Sequence, residues 1–147
     1  MNYVVIGGIA ATLQGSTTIT RDFDICYWRK HANLERLAAA LRDLEARLRG
    51  VEEEVPFQLD AAALRNGLNF TFKTKHGDFD CLGDPGGGFD YELLLRNADK
   101  MDVGGLRVSV ASLDDLIRMK RAAGRIKDRI EVENLSALRE VRDQKSR

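Results

Sequence analysis

The chain has 147 residues, and its 23 Lys plus Arg balance 23 Asp plus Glu, so the formal net charge is zero. This length is typical of one domain that buries a core without disulfides or a structural metal, and the charge balance excludes a polybasic tail. No apolar run approaches the ~20 residues that span a bilayer, and the first residues do not form a secretion signal. With only two cysteines, these features predict a cytoplasmic protein with no membrane partner.

Hydrophobic periodicity and turn residues predict the elements of the chain. The first half is predicted to contain, in order, a buried strand at 3–6, a short helix at 9–13, an alternating strand at 20–28 and an amphipathic helix at 32–49 that ends at Gly50. The second half is predicted to contain a short helix at 61–65 capped by Asp60, a hairpin at 68–82, a loop at 83–88, a helical turn or two at 90–97, a strand at 106–110 and helices at 113–123 and 128–143. The tail from Asp143 is expected to fray.

Helices and strands interleave along the chain, with one hairpin among them. This order predicts an α/β fold in which a mixed sheet is flanked by helices. We expect a single domain over 1–147, with the sheet core in 1–110 and the C-terminal helices in 111–147.

The most informative motif is Asp22-Phe23-Asp24, which lies on the predicted strand at 20–28. Residues i and i+2 of a strand project from the same face, ~7 Å apart, so the two carboxylates repel each other unless a cation lies between them. Mg²⁺ prefers carboxylate oxygens together with substrate phosphates. A solvated pair of acids on an edge strand is the alternative interpretation.

Two further features suggest a phosphate site beside this pair. Gly7 and Gly8 follow a buried strand and enter a helix, where small residues allow a phosphate to approach the backbone, although a simple tight turn needs small residues as well. Asp80 lies inside a later predicted strand and is preferred as a third acid over Asp78, which lies next to the turn. Three carboxylates on neighbouring strands could hold two metal ions.

The stretch from Gly7-Gly8 to Asp22-Phe23-Asp24 resembles the signature of the nucleotidyltransferase (polymerase-beta-like) superfamily. Most similar are the small bacterial proteins of the abortive-infection AbiEii type and their relatives. Gly77-Asp78-Phe79-Asp80-Cys81-Leu82 matches the family's third acid, with Asp80 in that place. The segment 112–128 resembles the family's helix pair with the pattern D-L-x-x-x-K-x-x-A-x-R-x-K-D.

The resemblance implies a nucleotidyltransferase fold and the transfer of a nucleoside monophosphate from an NTP to an acceptor hydroxyl. It implies that Asp22, Asp24 and Asp80 bind two Mg²⁺ ions and that Asp80 also assists deprotonation of the acceptor. Gly7 and Gly8 would bind phosphate. The acceptor would be a tRNA or other RNA end or a protein, and the chain would be the toxin of a toxin–antitoxin or phage-defence pair, with a cognate antitoxin as partner.

Lys120 is predicted to lie on the apolar face of its helix, which it shares with Leu113, Leu116, Ile117 and Gly124. A lysine there needs an anion, and the residues alone leave open a triphosphate, a nearby Asp or an amine that reaches solvent. The resemblance implies the triphosphate. Asp128 matches a later acid of the family and is implied to help bind the nucleotide; an N-cap of the last helix is its alternative role.

Two positions depart from the family pattern, since Gln14 and Thr18 stand where His and Arg are common. Six basic residues against one acid in 118–130 could follow an RNA or nucleotide backbone, or could form a solvated helix face. Two alternatives to the toxin remain at this point. They are a non-catalytic module of the same fold that acts through a protein partner, and an antitoxin-like nucleotidyltransferase that modifies a partner toxin.

Overall fold

The computed structural model describes residues 1–50 and 58–146. In chain order its elements are β1 (Tyr3–Ile6), α1 (Gly7–Leu13), β2 (Phe23–Tyr27), α2 (His31–Asp43), β3 (Arg47–Leu48), α3 (Ala61–Asn66), β4 (Asn69–Thr74), β5 (Gly77–Leu82), α4 (Tyr91–Asn97), β6 (Asp99–Val103), β7 (Leu106–Val110), α5 (Leu113–Ala123) and α6 (Ile126–Lys145). The helices found there are too short or too polar to cross a membrane.

The seven strands form one mixed sheet in the order β3-β4-β5-β2-β1-β7-β6. Strands β2 and β5 are parallel, as are β1 and β7, whereas the other neighbouring pairs are antiparallel. The short connections around β4–β5 and β6–β7 make the two hairpins. The mixed sheet with flanking helices confirms the fold class predicted from the order of the elements.

Buried side chains form two clusters. One cluster joins β1 and β7 to helices α1, α4, α5 and α6, and its members include Val5, Ala10, Cys26, Leu94, Val110, Leu116, Ile117 and Leu135. The other joins β2, β4 and β5 to α2 and α3 through Ile25, Tyr27, Leu34, Leu37, Leu41, Leu64, Phe72 and Cys81. Alternate residues of β2 therefore enter different clusters, as the period of two predicts.

The predicted helix at 32–49 is wrong over its last turn. Helix α2 ends at Asp43, Glu45 takes a positive φ of 55°, and Arg47–Leu48 pairs with β4 as a strand. Ala46 is buried and Leu48 packs against the second cluster. Because the apolar spacing continues through the turn and the strand, the sequence pattern does not show where the helix stops.

Two other expectations need correction. Strand β6 was absent from the predicted elements, because its charged residues suit an edge strand that pairs on one side only. Helix α6 spans Ile126–Lys145 and is longer at both ends than the predicted helix at 128–143. Arg142 donates a hydrogen bond of 3.0 Å to the side-chain oxygen of Gln14, which ties this end of α6 to α1.

Candidate active site

Asp24 and Asp80 lie side by side on the sheet. Parallel pairing of β2 with β5 places Asp24 opposite Asp80, and the same register places Cys26 opposite Leu82. Directly paired residues share a face and lie on strands ~4.8 Å apart. Asp24 pairs on its other side with Ile6, the last residue of β1. The two carboxyl groups therefore meet next to the point where β1 turns into α1.

Gly7 is required at that turn because Asp24 approaches its backbone. Its φ is +69°, and a Cβ placed on it would lie 2.2 Å from Oδ2 of Asp24. A Cβ on Gly8 would lie 2.8 Å from the side chain of Thr20. The pair of glycines therefore serves the packing of Asp24 and Thr20, in addition to any role in binding phosphate.

Burial and neighbouring acids destabilise the charged form of Asp24. They raise the pKa of Asp24 to about 7, through desolvation first and then through the charge and hydrogen bond of Asp80 and the charge of Asp22. The charge of Lys120 acts in the opposite direction on the pKa of Asp24. Oδ1 of Asp24 is buried and has no hydrogen-bond partner within the described part of the chain.

Asp22 is placed differently from the sequence expectation. Strand β2 begins at Phe23, so Asp22 lies one residue before it and is exposed, with its backbone N–H donating to Oγ1 of Thr20 at 3.4 Å. The predicted strand at 20–28 is thus too long at both ends. Asp22 still influences the pKa of Asp24 through its charge, so the two acids share one electrostatic environment.

Lys120 extends from α5 towards both Asp24 and Asp128. Its Nζ lies 3.4 Å from Oδ1 of Asp128, and its side chain is 27% exposed. Leu113, Leu116 and Ile117 of the same helix are buried, as the predicted apolar face requires. An aspartate therefore accounts for the position of Lys120 in this structure, and the triphosphate remains a proposed further partner.

Asp128 is fully buried and linked to Arg125 and Lys120. It accepts hydrogen bonds from Nε of Arg125 at 2.7 Å and from the backbone N–H of Arg125 at 3.2 Å. These bonds with Arg125 and the charge of Lys120 lower the pKa of Asp128. Arg125 is the N-cap of α6 and Asp128 is the third helical residue, so the N-cap role considered for Asp128 is wrong.

Arg49 is a site residue that sequence reasoning missed. Its Nη2 donates to Oδ1 of Asp80 at 2.9 Å, and its Nη1 lies 3.2 Å from Oδ2 of Asp78. Arg49 was assigned to the predicted helix at 32–49, where it would not face the acids. Knowledge that β3 pairs with β4 would have placed Arg49 near the acids. Hydrophobic periodicity alone does not show which strands pair.

The donor chemistry of this cluster suits Mg²⁺, which prefers carboxylate oxygens. The buried, unpartnered Oδ1 of Asp24 beside Asp80 is the observation that supports such a fit. Residues 1–50 and 58–146 contain no group of three His, Cys, Asp or Glu side chains already gathered as a metal site. The ligand set of Asp22, Asp24 and Asp80 therefore remains a prediction.

Comparison with known proteins identifies the fold. No family model and no curated protein matches the sequence. Two similar solved structures are the lincosamide antibiotic adenylyltransferase LnuA with lincomycin bound and the Thermotoga maritima protein TM1012, which is assigned to the nucleotidyltransferases. LnuA is 13% identical with a TM-score of 0.59, over 93% of this chain and 87% of its own. TM1012 is 17% identical with a TM-score of 0.54, over 97% of this chain and 83% of its own. The chain thus has the nucleotidyltransferase fold.

Proposed function

We propose that the protein is a nucleotidyltransferase that moves a nucleoside monophosphate from an NTP to an acceptor hydroxyl. The acceptor oxygen forms a bond to the α-phosphorus as the bond to the leaving pyrophosphate breaks, and the hydroxyl proton is released. The observation that supports this best is the register of Asp24 with Asp80 beside Gly7, in a chain with the nucleotidyltransferase fold.

Asp22, Asp24 and Asp80 are the proposed ligands of Mg²⁺. When bound, the cation neutralises charge on the phosphates and favours deprotonation of the acceptor. The chain supplies the carboxylate oxygens from two adjacent strands and one exposed residue before them. The pKa of Asp24 is raised first by burial and then by the neighbouring Asp80 and Asp22, and the negative charge of these neighbours favours an added cation.

Gly7, Gly8 and Lys120 are the proposed contacts to the phosphates. The two glycines let the backbone at the start of α1 approach Asp24 and Thr20 closely, so a phosphate bound near Asp24 would lie beside this backbone. Lys120 borders an open pocket of about 450 Å³ that is also lined by Arg121 and Arg129. Its ammonium group stabilises the negative charge of the triphosphate, and Asp128 positions it.

The resemblance to the AbiEii type supports a toxin in a toxin–antitoxin or phage-defence pair. The acceptor is then an RNA end, such as that of a tRNA, or a protein, and a cognate antitoxin is a possible partner. LnuA, by its name, adenylylates a lincosamide, so a hydroxylated small molecule belongs among the acceptors to be tested. The proposal places the protein in the cytoplasm, where NTPs and RNA are available.

A second candidate is a module of the same fold that does not catalyse transfer and acts through a protein partner. The ion pairs of Arg49 with Asp80 and Asp78 favour it, because they already compensate the charge of the third acid. An antitoxin-like enzyme that modifies a partner toxin is a variant of the first proposal. Binding of NTP with Mg²⁺, measured as a shift in melting temperature, separates the non-catalytic module from both enzymes.

The test is to incubate the protein with each α-³²P-labelled NTP, Mg²⁺ and total RNA, lysate or hydroxylated small molecules. We expect label to enter one acceptor class and Asp24→Asn to lower the rate about 100-fold or more, because it removes a charged ligand of the reacting centre. Asp102→Asn is the matched control, since Asp102 is exposed on β6, where it forms an ion pair with Arg107 at 3.6 Å. Label that persists in Asp24→Asn, or that never appears with folded protein, would contradict the enzyme.

A further inference from the structure

Arg49 belongs to the same cross-strand row as the two central acids. The backbone N–H of Arg49 donates to the carbonyl of Thr71 at 2.9 Å, which extends the pairing of β3 with β4 by one residue. Thr71 pairs with Asp80, and Asp80 pairs with Asp24. Residues in one row project from the same face, so the sheet itself directs Arg49 towards the carboxylates.

The guanidinium of Arg49 bridges two acids of β5. Nη2 lies 2.9 Å from Oδ1 of Asp80, and Nη1 lies 3.2 Å from Oδ2 of Asp78. The bond from Nη2 to Asp80 is charge-assisted and therefore stronger than a neutral hydrogen bond, whereas the buried Nη1 contributes an ion pair without hydrogen-bond geometry. The side chain of Arg49 is 28% exposed, although its Nη1 is buried.

The other nearby cation is already shared. The charge of Lys120 on α5 lowers the pKa of Asp24, but its Nζ lies 3.4 Å from Oδ1 of Asp128. Asp80 thus receives its positive partner from Arg49, whereas Asp24 retains an unpartnered buried oxygen. The negative charges of Asp24 and Asp80 are therefore compensated unequally, because Arg49 pairs with Asp80.

We propose that Arg49 is a resident counter-ion that competes with a divalent cation for Asp80. This inference rests on the proposed function, because it concerns the same carboxylates. A cation that takes Oδ1 of Asp80 must displace the hydrogen bond from Arg49, so the ion pair lowers cation affinity. The fold therefore holds the site closed to weakly bound cations until Arg49 moves away from Asp80.

The experiment measures Mn²⁺ binding to the full chain by isothermal titration calorimetry, without nucleotide. Arg49→Gln is expected to tighten the dissociation constant about two- to fivefold, the effect of losing one partly exposed ion pair. Arg49→Lys, which keeps the charge but loses the forked contact, should tighten it less and covers the case in which Arg49→Gln does not fold. Lys73→Gln is the control for net charge, because Lys73 is exposed and pairs in register with Asp78. It should change the constant by less than about twofold.

The outcomes separate the two proposals. Tighter Mn²⁺ binding in Arg49→Gln but not in Lys73→Gln supports the competition. Equal or weaker binding in folded Arg49→Gln, with clear binding in the unmodified chain, overturns the role of Arg49 and leaves the proposed function intact. Equal tightening in Arg49→Gln and Lys73→Gln also overturns it, since net charge would then explain both. No Mn²⁺ binding to any of these proteins overturns the proposed cation site together with this inference.

Discussion

At the scale of single residues, Asp24 holds a carboxyl group where its charged form is unfavourable. Its pKa is raised to about 7 by burial and by Asp80 and Asp22. A carboxyl whose pKa is higher in the folded state than in the unfolded state binds extra protons on folding. The stability of the metal-free protein must therefore fall as the pH rises between about 4 and 7 because of this group.

Asp24→Asn removes that dependence, because the amide does not titrate. Without metal, we expect the variant to exceed the unmodified protein in unfolding free energy by on the order of 2 kcal/mol at pH 8, and to differ little at pH 4. Urea unfolding in EDTA at the two pH values measures the difference. A gap between the two proteins that does not change with pH would show that Asp24 ionises normally.

Gly7→Ala tests the close approach of Asp24 to the turn. The new methyl group meets Oδ2 of Asp24 in a left-handed backbone conformation, so we expect a loss of about 3 kcal/mol. Gly104→Ala is the matched control, since Gly104 has a φ of +58° but nothing within 4 Å of its Cβ position. Its loss should be about 1 kcal/mol. Equal losses in thermal unfolding would mean that strain alone, without the contact, sets the cost.

At the scale of elements, the junction of α5 and α6 is organised around a buried acid. Helix α5 ends at Gly124 in a left-handed conformation, and Arg125 then begins α6 by bonding to Asp128. The same carboxylate lies 3.4 Å from Lys120. The side chain of Asp128 thus links the start of α6 to Lys120 of α5, the proposed catalytic lysine.

Asp128→Asn should destabilise the protein by about 1–2 kcal/mol at pH 7, because the ion pairs are lost. The lowered pKa of Asp128 means that its contribution is present above about pH 4 and disappears as the pH falls through the folded pKa. Urea unfolding at pH 7 and pH 3.5 should therefore show a gap that shrinks in acid. The exposed pair of Asp114 with Arg139 provides the control, and Asp114→Asn should cost about 0–1 kcal/mol.

The predicted helices and strands match the structure where the residue pattern fits a single type of secondary structure. The alternation around Phe23–Asp24–Ile25 and the apolar face of α5 both match the structure, and so does Asp60 as the cap of α3. The prediction of where α2 ends was wrong, because the spacing of Leu41, Leu44 and Leu48 also fits a turn followed by a strand. Arg49 was missed for the same reason, since its contact depends on strand pairing between distant segments.

At the scale of the whole molecule, Gln14 connects both ends of the chain. It is buried, and its Nε2 donates to Oδ2 of Asp99 at 2.9 Å and to the carbonyl of Ala111 at 3.0 Å. Its side-chain oxygen accepts from Arg142. The family pattern favours His at this position, and the glutamine here supplies both donor and acceptor to β6, the end of β7 and α6.

Gln14→Leu should lower the unfolding free energy by about 2 kcal/mol, because the buried carbonyl of Ala111 loses the hydrogen bond from Gln14 and the bonds with Asp99 and Arg142 are lost as well. It should also speed amide hydrogen exchange in the last turns of α6, where Arg142 loses a partner. Gln144→Leu, at an exposed position of the same helix, should cost less than about 0.5 kcal/mol. Unchanged exchange in α6 of Gln14→Leu would show that the helix is held by its apolar contacts alone.

The two cysteines allow the separation of each helical layer from the sheet to be measured. Cys26 is buried in the cluster with α1 and α5, whereas Cys81 is buried in the cluster with α2 and α3. Burial raises the pKa of the Cys26 thiol to about 12 and raises that of Cys81 as well, so neither thiol reacts with an alkylating reagent while its layer is closed. The alkylation rate of each thiol thus reports how often its side of the sheet opens. Comparison of their alkylation rates reports which helical layer separates first from the strands that carry the acids.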